Sequence, residues 1–133
     1  MHDGNAETLW AFVLGRDRYQ LDNIPFLAFD LSLNDVVSAP VADDIPTFER
    51  VLERSGHSTY RLALQDGVDP ATFPELVGAL KDLGCRLERF TPRMIGVDVP
   101  PSVDIHAAYE VISSGMTAGN WHFDEVNVEH SLT

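Results

Sequence analysis

Cysteine is nearly absent from the chain, since Cys85 is the single cysteine among 133 residues. One thiol excludes an internal disulfide and any zinc site built from four cysteines. The chain also lacks an apolar run near the ~18 residues that a membrane span requires. Its start, Met1-His2-Asp3-Gly4-Asn5, has neither the charged nor the apolar region of a secretory signal. We therefore expect a cytoplasmic protein that does not enter a membrane.

Positive charge is scarce as well, because nine Lys and Arg residues stand against 21 Asp and Glu residues, a net charge of −12. Two long stretches, Tyr19–Glu49 and Met94–Thr133, contain no Lys or Arg at all. Nucleic acids and anionic membrane surfaces are bound through clustered cations, so both classes of partner are excluded. The acidic surface either keeps the protein soluble or steers a partner with a basic surface toward it.

The usual signatures of catalytic and cofactor sites are missing too. The chain contains no GxGxxG or GxxxxGK[ST] phosphate loop, no GxSxG elbow, no HExxH and no EF-hand spacing. His122 and Asp124 share one face of a predicted strand and His130 follows, but a zinc or iron site needs three convergent ligands. We therefore predict no metal and no cofactor.

The first half of the chain is predicted to be rich in strands. Ser55-Gly56-His57 lies between two strand-like segments, Phe48–Arg54 and Ser58–Leu64, and this pattern predicts a hairpin. Several short strands at this spacing favour a small barrel-like arrangement. Further strands are predicted at Leu9–Leu14, Arg18–Leu21 and Asn34–Val37, and Phe26–Phe29 is predicted to be either a short strand or a core segment.

The second half alternates between strand and helix patterns. Thr72 and Glu75 match a capping box that opens an apolar helical stripe from Phe73 to Leu83, closed by Gly84. Asp104 is the predicted N-cap of a second helix, which ends around Gly115 and Gly119. With strands at Ser58–Leu64, Cys85–Phe90, Arg93–Val99 and Trp121–Val128, the order is the ferredoxin-like βαββαβ plan.

The fold class that follows is α+β, with a β-rich, barrel-like N-terminal subdomain at residues 1–57 and a ferredoxin-like subdomain at residues 58–133. A chain of 133 residues can barely bury two independent cores, so we expect the two halves to share one.

Three stretches resemble an uncharacterised bacterial family of domains of unknown function, the 4265 family. They are the DNIPF stretch from Asp22, the NDVV stretch from Asn34 and the ERSGHSTYR stretch from Glu53. The family usually has Gly at the position of Asn34. The resemblance implies a protein of similar length with a single domain, and it brings no activity, cofactor or catalytic residue.

The stretch Ser55–Arg61 holds most of the candidate site residues. His57 can act as an acid or a base near neutral pH, Ser58 offers a hydroxyl, and Arg61 can hold a carboxylate. Adjacent strand residues point to opposite faces, so His57 and Ser58 need not form a base–nucleophile pair. The alternative is a turn whose polar side chains satisfy backbone groups. The candidate binding residues are His57, Ser58, Tyr60, Arg61, Asp22 and Asn23.

Two functions remain open from the sequence alone. The favoured one is a non-catalytic acidic protein, of an inhibitor or immunity type, that uses its charge or an exposed sheet edge to engage a protein or peptide partner with a basic surface. The alternative is a small enzyme or ligand-binding module with a pocket around His57 between the two halves. No residue pattern decides the oligomeric state.

Overall fold

The computed structural model describes residues 7, 9–25 and 30–132, and in these ranges the protein is α+β with ten strands, three α-helices and one short 3₁₀-helix at Pro70–Thr72. The segment Phe26–Phe29, predicted as a strand or core segment, lies outside the described residues. The strands are β1 (Ala11–Gly15), β2 (Arg18–Leu21), β3 (Val36–Ser38), β4 (Val41–Ala42), β5 (Ile45–Pro46), β6 (Arg50–Glu53), β7 (Ser58–Leu64), β8 (Arg86–Thr91), β9 (Met94–Val99) and β10 (Trp121–Asn127). The helices are α1 (Phe73–Leu76), α2 (Gly78–Leu83) and α3 (Ile105–Thr117).

Four strands of the first half form one antiparallel sheet in the order β1-β2-β3-β6, called here the first sheet. The short strands β4 and β5 form a separate two-stranded hairpin. Leu9, Leu21, Leu31 and Val37 are buried together as the apolar cluster of this half.

The second sheet is antiparallel and has the order β10-β7-β9-β8. Alternation along β7 and β9 directs Tyr60, Leu62, Leu64, Ile95, Val97 and Val99 to one face, where they pack against apolar residues of all three helices. Trp121 of β10 completes this larger cluster.

The other face of the second sheet is covered by the first half. A Cβ atom at Gly96 in β9 would lie 2.9 Å from Ile24 Cγ2 and 2.6 Å from Phe90 Cε2, so the chain approaches this strand closely. The Ile24 N–H donates to Glu88 Oε2 at 3.2 Å, and the Asp30 N–H donates to the Val126 carbonyl at 3.1 Å. These contacts fix the two halves against each other.

The predicted hairpin around Ser55-Gly56-His57 is wrong. β6 pairs with β3 in the first sheet, whereas β7 pairs with β9 and β10 in the second, so residues 54–57 carry the chain from one sheet to the other. Gly56 has a φ of +85°, which favours glycine and turns the chain at this crossing.

The predicted single helix from Phe73 to Leu83 is interrupted at Val77, which adopts φ −96° and ψ 4° and separates α1 from α2. A β-branched residue followed by glycine is a weak point in a helix. The predicted capping box is also wrong, because the Thr72 hydroxyl donates to the Asp69 carbonyl at 2.7 Å.

The second helix, α3, begins as predicted: Asp104 caps it by accepting the His106 N–H at 2.9 Å. It ends at Thr117, between Gly115 and Gly119, as predicted. Gly115 is buried against the ring of Trp121, which explains a glycine inside the helix.

Candidate functional site

The segment Arg54–Ser58 connects the two sheets and lies among buried polar side chains; we call this region the junction. Polar groups out of water must be hydrogen-bonded, so a concentration of them is either a structural network or a site. Within the described ranges the buried polar residues are Ser32, Asp35, Ser58, Thr59 and Asp98, and all five belong to the junction or adjoin it.

His57 is held by a buried carboxylate. Its Nδ1 lies 2.8 Å from Asp98 Oδ1, and because a carboxylate only accepts, Nδ1 carries the proton. In the neutral ring Nε2 is then an acceptor, and it lies 3.4 Å from the Asn34 side-chain nitrogen. Burial raises the pKa of Asp98, and the hydrogen bond from His57 opposes that shift. Both ring nitrogens are therefore engaged within the protein.

Asp35 is the centre of a second group of contacts. Its carboxylate accepts the Ser55 N–H and hydroxyl, each at 2.9 Å, and the Ser32 N–H at 3.0 Å. Arg54 Nη1 lies 3.3 Å from Asp35 Oδ2. Burial, followed by the hydrogen bond and charge of Glu129, raises the pKa of Asp35 to about 6 despite the donors from the backbone.

Glu129, which follows β10, reaches back to the same junction. Its carboxylate accepts the Gly56 N–H at 2.9 Å, the Asn127 side-chain amide at 2.7 Å and Arg54 Nη1 at 3.2 Å. Burial alone would raise the pKa of Glu129, but the hydrogen bonds from Asp35, Gly56, Asn127 and Arg54 together lower it. When the two carboxyl groups share one proton, it is therefore favoured on Asp35, and Glu129 is the ionised carboxylate.

Ser58 and His130 hold in place the segment that follows β10, residues 128–132, called here the tail. The Ser58 oxygen accepts the N–H groups of Glu129 at 3.0 Å and His130 at 3.2 Å. His130 Nε2 lies 2.9 Å from the Pro100 carbonyl and must donate to it, so Nδ1 of the neutral ring accepts the Ser58 hydroxyl at 2.6 Å. Ser58 is fully buried by these contacts, so its hydroxyl anchors the tail and does not reach solvent.

The remaining predicted site residues lie elsewhere. Tyr60 packs in the cluster under the helices, while Arg61 points to the opposite face and its Nη2 lies 2.8 Å from Asp124 Oδ2. Asn23 Oδ1 accepts the Trp10 N–H at 2.7 Å, and the Asp22 N–H donates to the Trp10 carbonyl at 2.8 Å. The structure therefore brings only His57 and Ser58 to the junction, each with different partners.

Sequence reasoning missed Asn34, Asp35, Asp98 and Glu129. Asp98 alternates with Val97 and Val99, so the local pattern assigns it to the ordinary polar face of a strand and gives no sign that it is buried. Asp35 precedes an apolar pair, which gives no such sign either. Nothing local marks Glu129, whose partners at the junction, Arg54 and Gly56, lie more than 70 residues earlier in the chain.

The residues described do not offer a metal site, since no three His, Cys, Asp or Glu side chains among them are placed to hold an ion. Three surface cavities, of about 430, 480 and 240 Å³, are lined by residues other than His57. The junction geometry is that of a polar fastening between the halves.

A different feature stands out at the border of the first sheet. β1 is a terminal strand of that sheet among the residues described. Its apolar side chains Val13, Phe12 and Leu14 are 71%, 55% and 51% exposed, and Trp10 immediately before the strand is 79% exposed. We call Trp10–Leu14 the β1 edge.

The backbone N–H and C=O groups of the β1 edge point alternately toward β2 and away from it. The Trp10 carbonyl accepts the Asp22 N–H, so Trp10 turns its backbone groups toward β2. Directions alternate along a strand, and Phe12 opposite Gln20 therefore also turns inward. Ala11 and Val13 direct their N–H and C=O groups to the open side, where an added strand could pair with them.

Comparison with known proteins gives a family and a fold. A family model described as Domain of unknown function (DUF4265) matches residues 7–123. A crystal structure of a hypothetical protein from Neisseria gonorrhoeae is similar with a TM-score of 0.81 at 19% identity, covering 94% of this chain and 85% of that chain. No curated protein matches the chain. In the described part of the chain, no helix combines the length and apolarity needed to cross a membrane.

Proposed function

Because the chain belongs to the DUF4265 family of domains of unknown function, whose description names no activity, we propose a function from the surface of this chain. It is a non-catalytic binding protein that pairs an extended strand of a basic protein partner with the β1 edge. The observation that carries the proposal is the exposure of three apolar side chains on a terminal strand and of Trp10 immediately before it.

Exposed apolar strand edges are normally shielded by charge, proline or a covering segment, because they pair readily with other strands. Between Trp10 and Leu14 the sequence has no charged residue and no proline. Strand addition uses open backbone groups for affinity and exposed side chains for specificity. Val13 supplies both, with an outward backbone and a largely exposed side chain.

The net charge argues for the kind of partner. Two copies of a chain with net charge −12 repel each other, which disfavours self-pairing through the β1 edge. A partner with a basic surface is attracted instead, and its association is accelerated at low salt. We therefore commit to a basic protein as the occupant.

The alternative function, a small enzyme or ligand-binding module centred on His57, has weaker support. His57 has 13% of its side chain exposed, and both ring nitrogens have partners within the protein. A general base needs one nitrogen available to its substrate. The geometry at His57 favours a structural role, in which the ring holds the junction in place, over a role in proton transfer.

For the architecture we propose the finer description as well. The order β10-β7-β9-β8 with helices between β7 and β8 and between β9 and β10 supports a ferredoxin-like subdomain at residues 58–133. The first sheet and the β4–β5 hairpin support a barrel-like subdomain at residues 1–57. Contacts such as Ile24 against Gly96 support joint burial of the two. We propose the cytoplasm as the location.

The test uses Val13→Pro and Val13→Thr. Proline removes the outward N–H and is tolerated at a free strand edge, whereas threonine keeps the N–H at nearly the same volume. Tagged wild type and both variants are used to capture partners at about 0.05 and 0.5 M NaCl, and captured proteins are identified by mass spectrometry. Circular dichroism checks that both variants fold.

The expected result is a basic protein retained by wild type and Val13→Thr at low salt, and lost both with Val13→Pro and at high salt. Retention by Val13→Pro contradicts strand addition. No capture at low salt counts against a binding role. A dimer in sedimentation velocity that Val13→Pro dissociates would assign the β1 edge to a second copy and overturn the choice of partner.

A further inference from the structure

A small cavity lies between α3 and β10, on the helix side of the second sheet and away from the β1 edge. It has a volume of about 240 Å³, and Tyr60, His106, Tyr109, Glu125 and Leu132 are among the residues that line it. β10 is a terminal strand of its sheet, so the cavity opens at the side of the molecule. Leu132 and Val128 border it from the tail.

Tyr60 supplies a polar group at the base of this cavity. The residue is only 2% exposed, and among the residues described no group is hydrogen-bonded to its hydroxyl. In the described ranges every side-chain nitrogen or oxygen that is fully buried has a hydrogen-bond partner. The Tyr60 hydroxyl has none among these residues, so it is not fully buried, and Tyr60 is one of the residues that line the cavity. A deeply placed hydroxyl without a protein partner is a group that a ligand can satisfy.

Aromatic rings hold the wall in place. Tyr109 meets Phe123 edge to face, with centroids 5.9 Å apart and an interplanar angle of 78°. Phe123 in turn lies 6.3 Å from the Tyr60 ring. These contacts orient Tyr109 beside the cavity, where the negative face of a phenol ring attracts a cation.

Glu125 supplies the charge. It lies directly opposite Tyr60 in the pairing of β10 with β7, so both side chains emerge on the cavity side. Burial, then the charge of Glu125 and the proximity of Tyr109, raises the pKa of Tyr60 to about 12, and the phenol stays neutral. Asp104 at the N-cap of α3 offsets the positive end of that helix. The titratable side chains that line the cavity are thus one carboxylate, the phenols of Tyr60 and Tyr109, and the His106 imidazole.

We propose that this cavity binds an alkylammonium group, with Glu125 as counter-ion, the Tyr60 oxygen as hydrogen-bond acceptor and the Tyr109 ring as a cation–π partner. A primary ammonium has three donors and a compact charge, which fits this set of acceptors. The net charge of −12 attracts cations and repels phosphates and carboxylates. The proposal does not depend on the β1 edge.

The same ammonium chemistry comes from two sources, a free amine or a lysine side chain of a peptide. The probes are therefore n-butylammonium chloride and acetyl-Gly-Lys-Gly-amide. The matched controls are n-butanol, butyrate and the same peptide with an acetylated lysine, which keep the chain and remove or reverse the charge. Binding is followed by two-dimensional ¹H–¹⁵N NMR titration of the full chain.

The expected result is saturable shifts at Tyr60, Tyr109 and Glu125 with at least one ammonium probe, and none with the controls. Glu125→Gln and Tyr60→Phe should each weaken binding about tenfold, the size expected for losing one charge-assisted contact. Asp124→Asn, a neighbouring carboxylate on the opposite face, should change affinity less than about twofold, because screening weakens distant charges.

Binding of the amine alone or of the peptide as well identifies the source, and either supports the site. The proposal is overturned if neither ammonium probe shifts these residues at millimolar concentration, if butanol shifts them equally, or if Glu125→Gln leaves the affinity unchanged. Glu125 is exposed, so its substitution leaves the fold intact and the last outcome interpretable.

Discussion

Gly115→Ala should destabilise the protein strongly, because the ring of Trp121 occupies the space of a side chain. A Cβ at Gly115 would lie 2.0 Å from Trp121 Cζ2 and 2.3 Å from Cε2. Forcing a methyl group into a packed core costs about 1–3 kcal/mol. Displacing the ring also strains the buried hydrogen bond from Trp121 Nε1 to the Ile112 carbonyl, 2.9 Å long, and leaving either buried group unsatisfied costs about 1–3 kcal/mol.

Alanine is the better helix former by about 1 kcal/mol, which offsets part of this cost. The net loss is then about 3 kcal/mol, and for a domain of this size the melting temperature should fall by roughly 12 °C. Thermal and urea unfolding followed by circular dichroism measure both quantities. Tryptophan fluorescence reports whether the Trp121 environment has changed.

Gly78→Ala is the matched control, since a Cβ at Gly78 in α2 meets nothing within 4 Å. It should stabilise the protein by about 0.4–1 kcal/mol by reducing the freedom of the unfolded chain. The reasoning is refuted if Gly115→Ala melts within about 2 °C of wild type, or if the two variants shift the melting temperature in the same direction.

Three further outcomes follow from the buried polar groups. The pKa of Asp35 is raised to about 6 in the folded protein, so this group stabilises the folded state below its unfolded pKa near 4, and the contribution is lost as the pH rises through 6. The fall in unfolding free energy between about pH 5 and 7.5 should therefore be about 1 kcal/mol smaller in Asp35→Asn than in wild type. An equal fall in the two proteins contradicts this. Burial raises the pKa of Cys85 to about 11, so alkylation by iodoacetamide at pH 8 should be about 100-fold slower in the native than in the unfolded protein, and equal rates would rule this out. Asp98→Ala should cost about 2–3 kcal/mol by removing the buried partner of His57, against under about 1 kcal/mol for the exposed Asp124→Ala, and equal losses in urea unfolding argue against a structural His57–Asp98 pair.

The second half of the chain was the more predictable from sequence, for a physical reason. Its elements carry strong local patterns, such as the alternation of Ser58–Leu64, which is the observed β7, and the capping residue Asp104 before α3. These patterns depend on nearby residues only, so they can be read without knowing which strands pair. The α+β class follows from them directly.

Strand pairing was less predictable, because a turn signal does not name partners. Ser55-Gly56-His57 has the composition of a hairpin loop, yet β6 and β7 pair with strands of different sheets. The same limit applies to the junction. His57 could be singled out by residue type, but its partner Asp98 is 41 residues away, and Glu129 lies 73 residues from Gly56. Only the three-dimensional fold brings them together.

The tail contacts at the junction impose an order on biosynthesis. During translation Asp35, Arg54 and Ser58 leave the ribosome well before Glu129 and His130 are added. These two later residues complete the hydrogen bonds of the earlier ones. Throughout that interval the emerging N-terminal portion holds carboxylate, guanidinium and hydroxyl groups whose final companions do not yet exist. The network at the junction is therefore complete only once two residues just beyond β10 have been synthesised, and a nascent chain halted before them would expose unsatisfied polar groups to chaperones and proteases.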